Sequence, residues 1–224
     1  MGLISTAKLS DIPAKTSESG GDFDDDGVWV FTLKCEEEAQ VVFLNDGLDI
    51  PIVDAVELYT PGGRPVRAAV LSASGKDCPF TNLLKESGDR KLRPKKFFIF
   101  TVIDLREVTR KNGEVIPYTR KALLVKSHLM DKMVRKRLLK HIDKNGELRG
   151  SRWDISRGPD MNPSPPSCGD TWDFDDMADV KKFSNNAVLS EEEILSLFVT
   201  DQNELQKLAE AWKPQETVSK AKYD

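Results

Sequence analysis

Cysteine, histidine and long apolar runs are all scarce in this 224-residue chain. The three cysteines, Cys35, Cys78 and Cys168, are far apart and odd in number. That excludes a disulfide-dense scaffold and points to a reducing compartment. With the two histidines, His128 and His141, they form no C-x-x-C or H-x-x-x-H pair, so no structural zinc and no other cofactor is expected. The longest apolar runs are as short as Phe97–Phe100, which is too little for a membrane span. The first residues lack a basic segment followed by an apolar one, so a secretory signal is not expected either. Neither a Walker motif nor G-x-G-x-x-G occurs, which removes the common phosphate-loop enzymes. What is present is ordinary for a globular chain: 39% hydrophobic and 31% charged residues, enough to bury a core.

The net charge of −4 conceals a division. From Lys91 to Arg152 there are 18 Lys and Arg against six acids, a net of +12; the rest of the chain holds 15 bases against 31 acids, a net of −16. A block this basic is the electrostatic footprint of a polyanion site. The bland alternative is a solvated positive face that pairs with acidic segments elsewhere in the chain.

Residues 1–27 read as a flexible acidic arm, with Ser17–Gly21 polar and Gly-rich and Asp22–Asp26 acidic. Strand patterns follow over Val28–Leu33, Ala39–Leu44, Ile52–Tyr59 and Val66–Leu71, the last two joined by the turn Thr60-Pro61-Gly62-Gly63. The strongest strand is Lys95–Asp104. Period-two alternation puts Phe98, Phe100 and Val102 on one face and Phe97, Ile99 and Ile103 on the other. Such a strand is either central, or has one face in the core and an aromatic face open to a ligand. Asn112-Gly113 signals a hairpin leading into Val115–Val125. Ser127–His141 is an amphipathic helix with Ser127 at its N-cap, and short strands follow at Trp153–Ser156 and Thr171–Phe174. Ser190 with Glu193 forms a capping box that opens a helix in an acidic C-terminal region, 185–224.

The expected fold class is therefore mainly β with flanking helices (α+β). An OB-fold is a five-stranded Greek-key barrel, and here a helix falls where that fold lodges one, between strands three and four. The expected binding domain spans 28–184. A single-strand site on such a barrel needs cations to track phosphates and aromatic faces on which bases stack. The candidates are Arg93, Lys95, Lys96, Arg106, Arg120, Lys121 and Arg152 for phosphate, and Phe98, Phe100, Tyr118 and Trp153 for stacking. No catalytic constellation stands out. The acids Asp173, Asp175, Asp176 and Asp179 leave open a metal-dependent nuclease, and a replication or transcription accessory factor that works through protein contacts is a further alternative.

The run Leu92-Arg93-Pro94-Lys95-Lys96-Phe97-Phe98-Ile99-Phe100-Thr101-Val102-Ile103-Asp104 resembles the aromatic strand of the single-stranded-DNA-binding proteins of tailed bacteriophages. Glu38–Leu44, Cys78-Pro79, the helix over Lys126–Ile142, Trp153–Gly158 and Gly169–Trp172 add to the likeness, which spans roughly Val28–Phe183. The resemblance implies an OB-fold protein that coats single-stranded DNA in replication and recombination, in the host bacterial cytoplasm and without catalysis. It also implies that an acidic C-terminal region contacts phage replication proteins. Many members carry a cysteine-rich zinc loop near Cys-Pro; only Cys78 stands there in this chain, so the zinc is not carried over.

Overall fold

The structure is a computed structural model that describes residues 27–59, 65–70, 78–110 and 112–212. The expected acidic arm (apart from Gly27), the Thr60–Gly63 turn and the last twelve residues lie outside the described residues. The fold is α+β and dominated by one large sheet.

Its axis is β5 (Lys95–Asp104), with the bounds that the alternation predicts. Both faces are covered: Phe100 and Val102 enter one core while Phe97 and Ile99 enter another, so this is a central strand. Along one edge β5 pairs antiparallel with β8 (Thr119–Lys126), from Phe97 opposite Lys126 to Asp104 opposite Thr119. Two strands share the other edge. The first half meets β3 (Ile52–Tyr59), with Ala55 opposite Lys95, and the second half meets β2 (Glu38–Phe43), with Val41 opposite Asp104. β3 pairs onward with β4 (Pro65–Ala69), and β2 with β9 (Ser151–Ser156), which carries β10 (Thr171–Met177).

Only Trp29–Val30 of the expected first strand is extended in a ladder; this β1 lies parallel on β8. The Asn-Gly hairpin forms a separate ribbon, β6 (Val108–Thr109) with β7 (Val115–Ile116). The sheet path runs from β1 to β10 without those ends pairing among the described residues. The sheet bears out the mainly β, α+β class but does not close into a barrel among the described residues, because β1 occupies the edge of β8.

The expected helix is longer than its pattern. It begins as α2 (Ser127–Leu129), passes a π-helical turn at Met130–Val134 and runs on as α3 (Arg135–Asn145). Ser127 is the first helical residue, and Lys126 takes the cap position without a side-chain bond. Gly146, at φ 89°, supplies the left-handed stop and donates its N–H to the Ile142 carbonyl. Met130, Val134 and Leu138 pack with Phe43, Phe100 and Trp153, so the helix closes one face of the sheet.

The opposite face is closed by the C-terminal region. The Ser190–Glu193 capping box forms and starts α4 (Glu191–Leu195). Leu189, Ile194, Leu197 and Phe198 then lie on Phe97, Ile99, Ala122 and Leu124. Val199 donates to the Arg67 carbonyl and accepts from the Ala69 N–H, which ties the segment to β4. Finally α5 (Gln202–Ala211) packs Leu205 and Leu208 with Phe80 of α1 (Pro79–Ser87). Up to Trp212, the expected acidic appendage is therefore built into the cores of the sheet.

Gly169, in the loop between β9 and β10, has φ +82°, and a Cβ there would lie 2.3 Å from Ile155 Cγ2 and 2.9 Å from the Ser156 carbonyl. Gly169→Ala therefore combines left-handed strain with a backbone clash. It is expected to lower stability by about 1–3 kcal/mol, read from urea unfolding; a change within a few tenths would contradict this geometry.

Candidate nucleic-acid interface

Strand pairing decides which members of the basic block face water. Asp104, at the end of β5, is 0% exposed and lies opposite the start of β8. Lys121 Nζ is 2.8 Å from its Oδ2 and Arg106 Nη2 2.6 Å. Arg106 also reaches Glu37 at 2.5 Å and sits over the Phe31 ring. Burial alone would push the Asp104 carboxyl up, but the hydrogen bond from Arg106 and the charge of Lys121 hold it below its ordinary value. Arg106 and Lys121 are consequently structural partners of Asp104 and are not free for phosphate.

Two further candidates are neutralised locally. Arg120 pairs with Glu193 and donates to the Ala187 carbonyl, so it fastens the C-terminal segment to β8. Arg152 Nε lies 2.7 Å from Asp175, with Asp176 at 3.9 Å. Among the aromatics, Phe100 is 0% exposed and meets Phe43 edge-on at 5.4 Å; Trp153 is 2% exposed and donates its indole N–H to Ser151. Neither ring offers a face for a base, because both point into the core beneath the helix. Tyr118 packs edge-on against Phe183 and bonds Ser184 through its hydroxyl. Phe98 is half-buried, with the Arg135 guanidinium 5.8 Å from its ring centre.

The open cations lie around the start of β5 and along the helix. Arg93 and Lys96 are exposed and have no ion-pair partner among the described residues. Lys132, Lys136, Lys140 and Lys144 are likewise exposed and unpaired, spaced four residues apart. Such residues are helix neighbours, so the four form a row about 18 Å long. Lys95 and Lys126 lie on the other face of the sheet, on the side of Phe97 and away from the helix, both on the carboxylate of Glu57 at 3.3 and 2.5 Å. His128 joins the two groups: partial burial, then the charges of Lys126, Lys95 and Lys132, push its imidazole below the ordinary value.

No family model, curated protein or solved structure matches this chain. The site rests on its own geometry.

Other chemistry finds little support. Among the described residues no group of three or more His, Cys, Asp or Glu is placed to hold a metal ion. Asp173 faces Arg137 at 3.5 Å, Asp175 and Asp176 face Arg152, and Asp179 caps a 3-10 turn, so the acids suspected of nuclease chemistry do not converge. Burial pushes the Cys168 thiol up to about 11, which leaves it protonated and unreactive at neutral pH. No helix among the described residues is long and apolar enough to cross a membrane.

The sequence pattern marked the basic block but not which of its cations stay exposed and which are taken up in internal pairs. It did not mark Tyr59, which ends β3 more than half exposed, and it did not separate the helix lysines from cations that serve internal pairs. The four-residue spacing was the available signal for the lysine row.

Proposed function

We propose that the chain is a non-catalytic single-stranded nucleic-acid-binding protein of OB type, in keeping with the bacteriophage family that its sequence resembles. The observation that carries this reading is the set of exposed cations Arg93, Lys96, Lys132, Lys136, Lys140 and Lys144, none of which has an ion-pair partner among the described residues. Cations left unpartnered over such a length suit a polyanion better than a small ion, since affinity sums many phosphate contacts. Strand pairing supports the OB assignment. Taking β2, β5, β8, β9 and β10 as the five strands, the first pairs with the second and fourth, the second with the third, and the fourth with the fifth. The helix lies between the third and fourth. On this count the β3–β4 hairpin and α1 are an insertion between strands one and two. Coating of single-stranded DNA in phage replication or recombination is the setting that the resemblance suggests for such a module.

Fluorescence titration with oligo-dT across a salt series tests the reading. Tight binding that weakens steeply with salt, and little affinity for duplex, is expected. Replacing Lys132, Lys136 and Lys140 together by glutamine should reduce the magnitude of the log–log salt slope by about two, at roughly 0.7 per phosphate neutralised on a single strand. Equal affinity for single strand and duplex would refute the reading, and an unchanged slope would remove the lysine row from it.

A further inference from the structure

Four adjacent strands bring a charged cluster together on the face opposite the helix. Glu57 of β3 is opposite Arg67 of β4; Ala55, two residues back on the same face, is opposite Lys95 of β5; and Phe97 is opposite Lys126 of β8. Arg67, Glu57, Lys95 and Lys126 thus line up across the sheet. Glu57 is buried and takes three cations: Arg67 Nε at 3.6 Å on one oxygen, Lys95 and Lys126 on the other. One carboxylate cannot neutralise three cations, so two positive charges remain. Arg67 is buried, but the side chains of Lys95 and Lys126 are 41% and 25% exposed, so the surplus charge opens to water through them.

An aromatic ring stands beside that charge. Tyr59, 55% exposed, lies on the same face as Glu57 and donates its hydroxyl to the same Glu57 oxygen, 3.3 Å away. Burial and then the Glu57 charge push the phenol above its ordinary value, so it stays protonated and keeps this bond. The ring is fastened at its tip while much of its surface is open. An exposed aromatic with no core to fill, next to paired lysines that carry excess charge, has the two components of a stacking platform.

We propose that Tyr59, Lys95 and Lys126 form a one-nucleotide subsite, with the base stacked on the Tyr59 ring and its phosphate held by the two lysines. This rests on the single-strand reading above and names a place, across the sheet from the helix lysines, that recognises a base. Glu57 is the positioning residue: it holds both ammonium groups and the phenol at one point. The subsite makes no contact with base edges, so it accepts any base.

The test uses the full chain with oligo-dT and with an abasic oligomer of equal length. Tyr59→Ala is expected to weaken oligo-dT binding by about tenfold or more, the usual worth of a stacked base. Its loss on the abasic oligomer should be much smaller. Tyr59→Phe, which keeps the ring, should recover most of the oligo-dT affinity. Lys95→Gln should weaken both oligomers and reduce the magnitude of the salt slope by about 0.7. Because Tyr59 is a surface residue, thermal unfolding should show Tyr59→Ala folded like the parent. Equal loss on both oligomers, or no loss on either, would overturn the subsite while the parent protein still binds oligo-dT. Failure of the parent itself to bind would overturn the single-strand reading instead.

Discussion

Asp104→Ala is expected to lower stability by about 3–5 kcal/mol, a large part of what a domain of this size possesses. The cause is the pair left behind. Lys121 and Arg106 are held in the protein by a carboxylate that is fully buried between them, and removing it strands Lys121 near the Trp29 ring with no counter-charge. Asp104→Asn keeps the shape but not the charge, so it should recover only part of the loss. The same network sets an acid limit. The folded Asp104 carboxyl titrates below its unfolded value of about 3.9, so its contribution is complete above that pH. It is lost as pH falls through the lower folded value. Urea unfolding at a series of acidic pH values should show the parent losing stability there, and the alanine variant lacking that part of the slope. A change under about 1 kcal/mol at neutral pH would show that the pair contributes little.

The second large effect separates packing from recognition. Phe100→Ala should cost about 3–5 kcal/mol, because the ring is enclosed by Phe43, Val102 and Leu123 beneath the helix and its removal leaves a cavity. Phe100→Leu fills most of that space and should fold. If Phe100 only packs, the leucine variant loses stability but keeps its affinity for oligo-dT. A folded leucine variant with much weakened oligonucleotide binding would return this ring to the interface. The two measurements together, urea midpoint and binding titration, distinguish a core aromatic from a stacking one.

Much of the framework was legible in the residues. β3 and β5 have the bounds that alternation predicts, and the Ser190–Glu193 capping box forms as written. The helix face with Met130, Val134 and Leu138 follows from its periodicity. What could not be read was register. Whether Lys121 is free or spent depends on Asp104, 17 residues away and reached only when β5 and β8 align as they do. Likewise Tyr59 gains its cations from β5 and β8, so nothing adjacent to it in the chain marks it. The Trp153 indole was ambiguous for another reason: Arg152 and Asp154 flank it, yet alternation on β9 turns those two outward and the ring inward. A charged neighbourhood in sequence is no guide to the face of a strand.

The arrangement of β5 also imposes an order in time. Its second half is aligned with β2, made some sixty residues earlier, while the cover over Phe97 and Leu124 comes from Leu189 to Phe198, made nearly a hundred residues later than Phe97. A ribosome delivers these pieces from the N-terminus. The apolar side that the C-terminal segment shields is thus complete as a surface well before its lid exists. For that interval the nascent chain carries its own aggregation hazard, and the time taken to translate the roughly seventy residues between Leu124 and Phe198 sets how long it lasts.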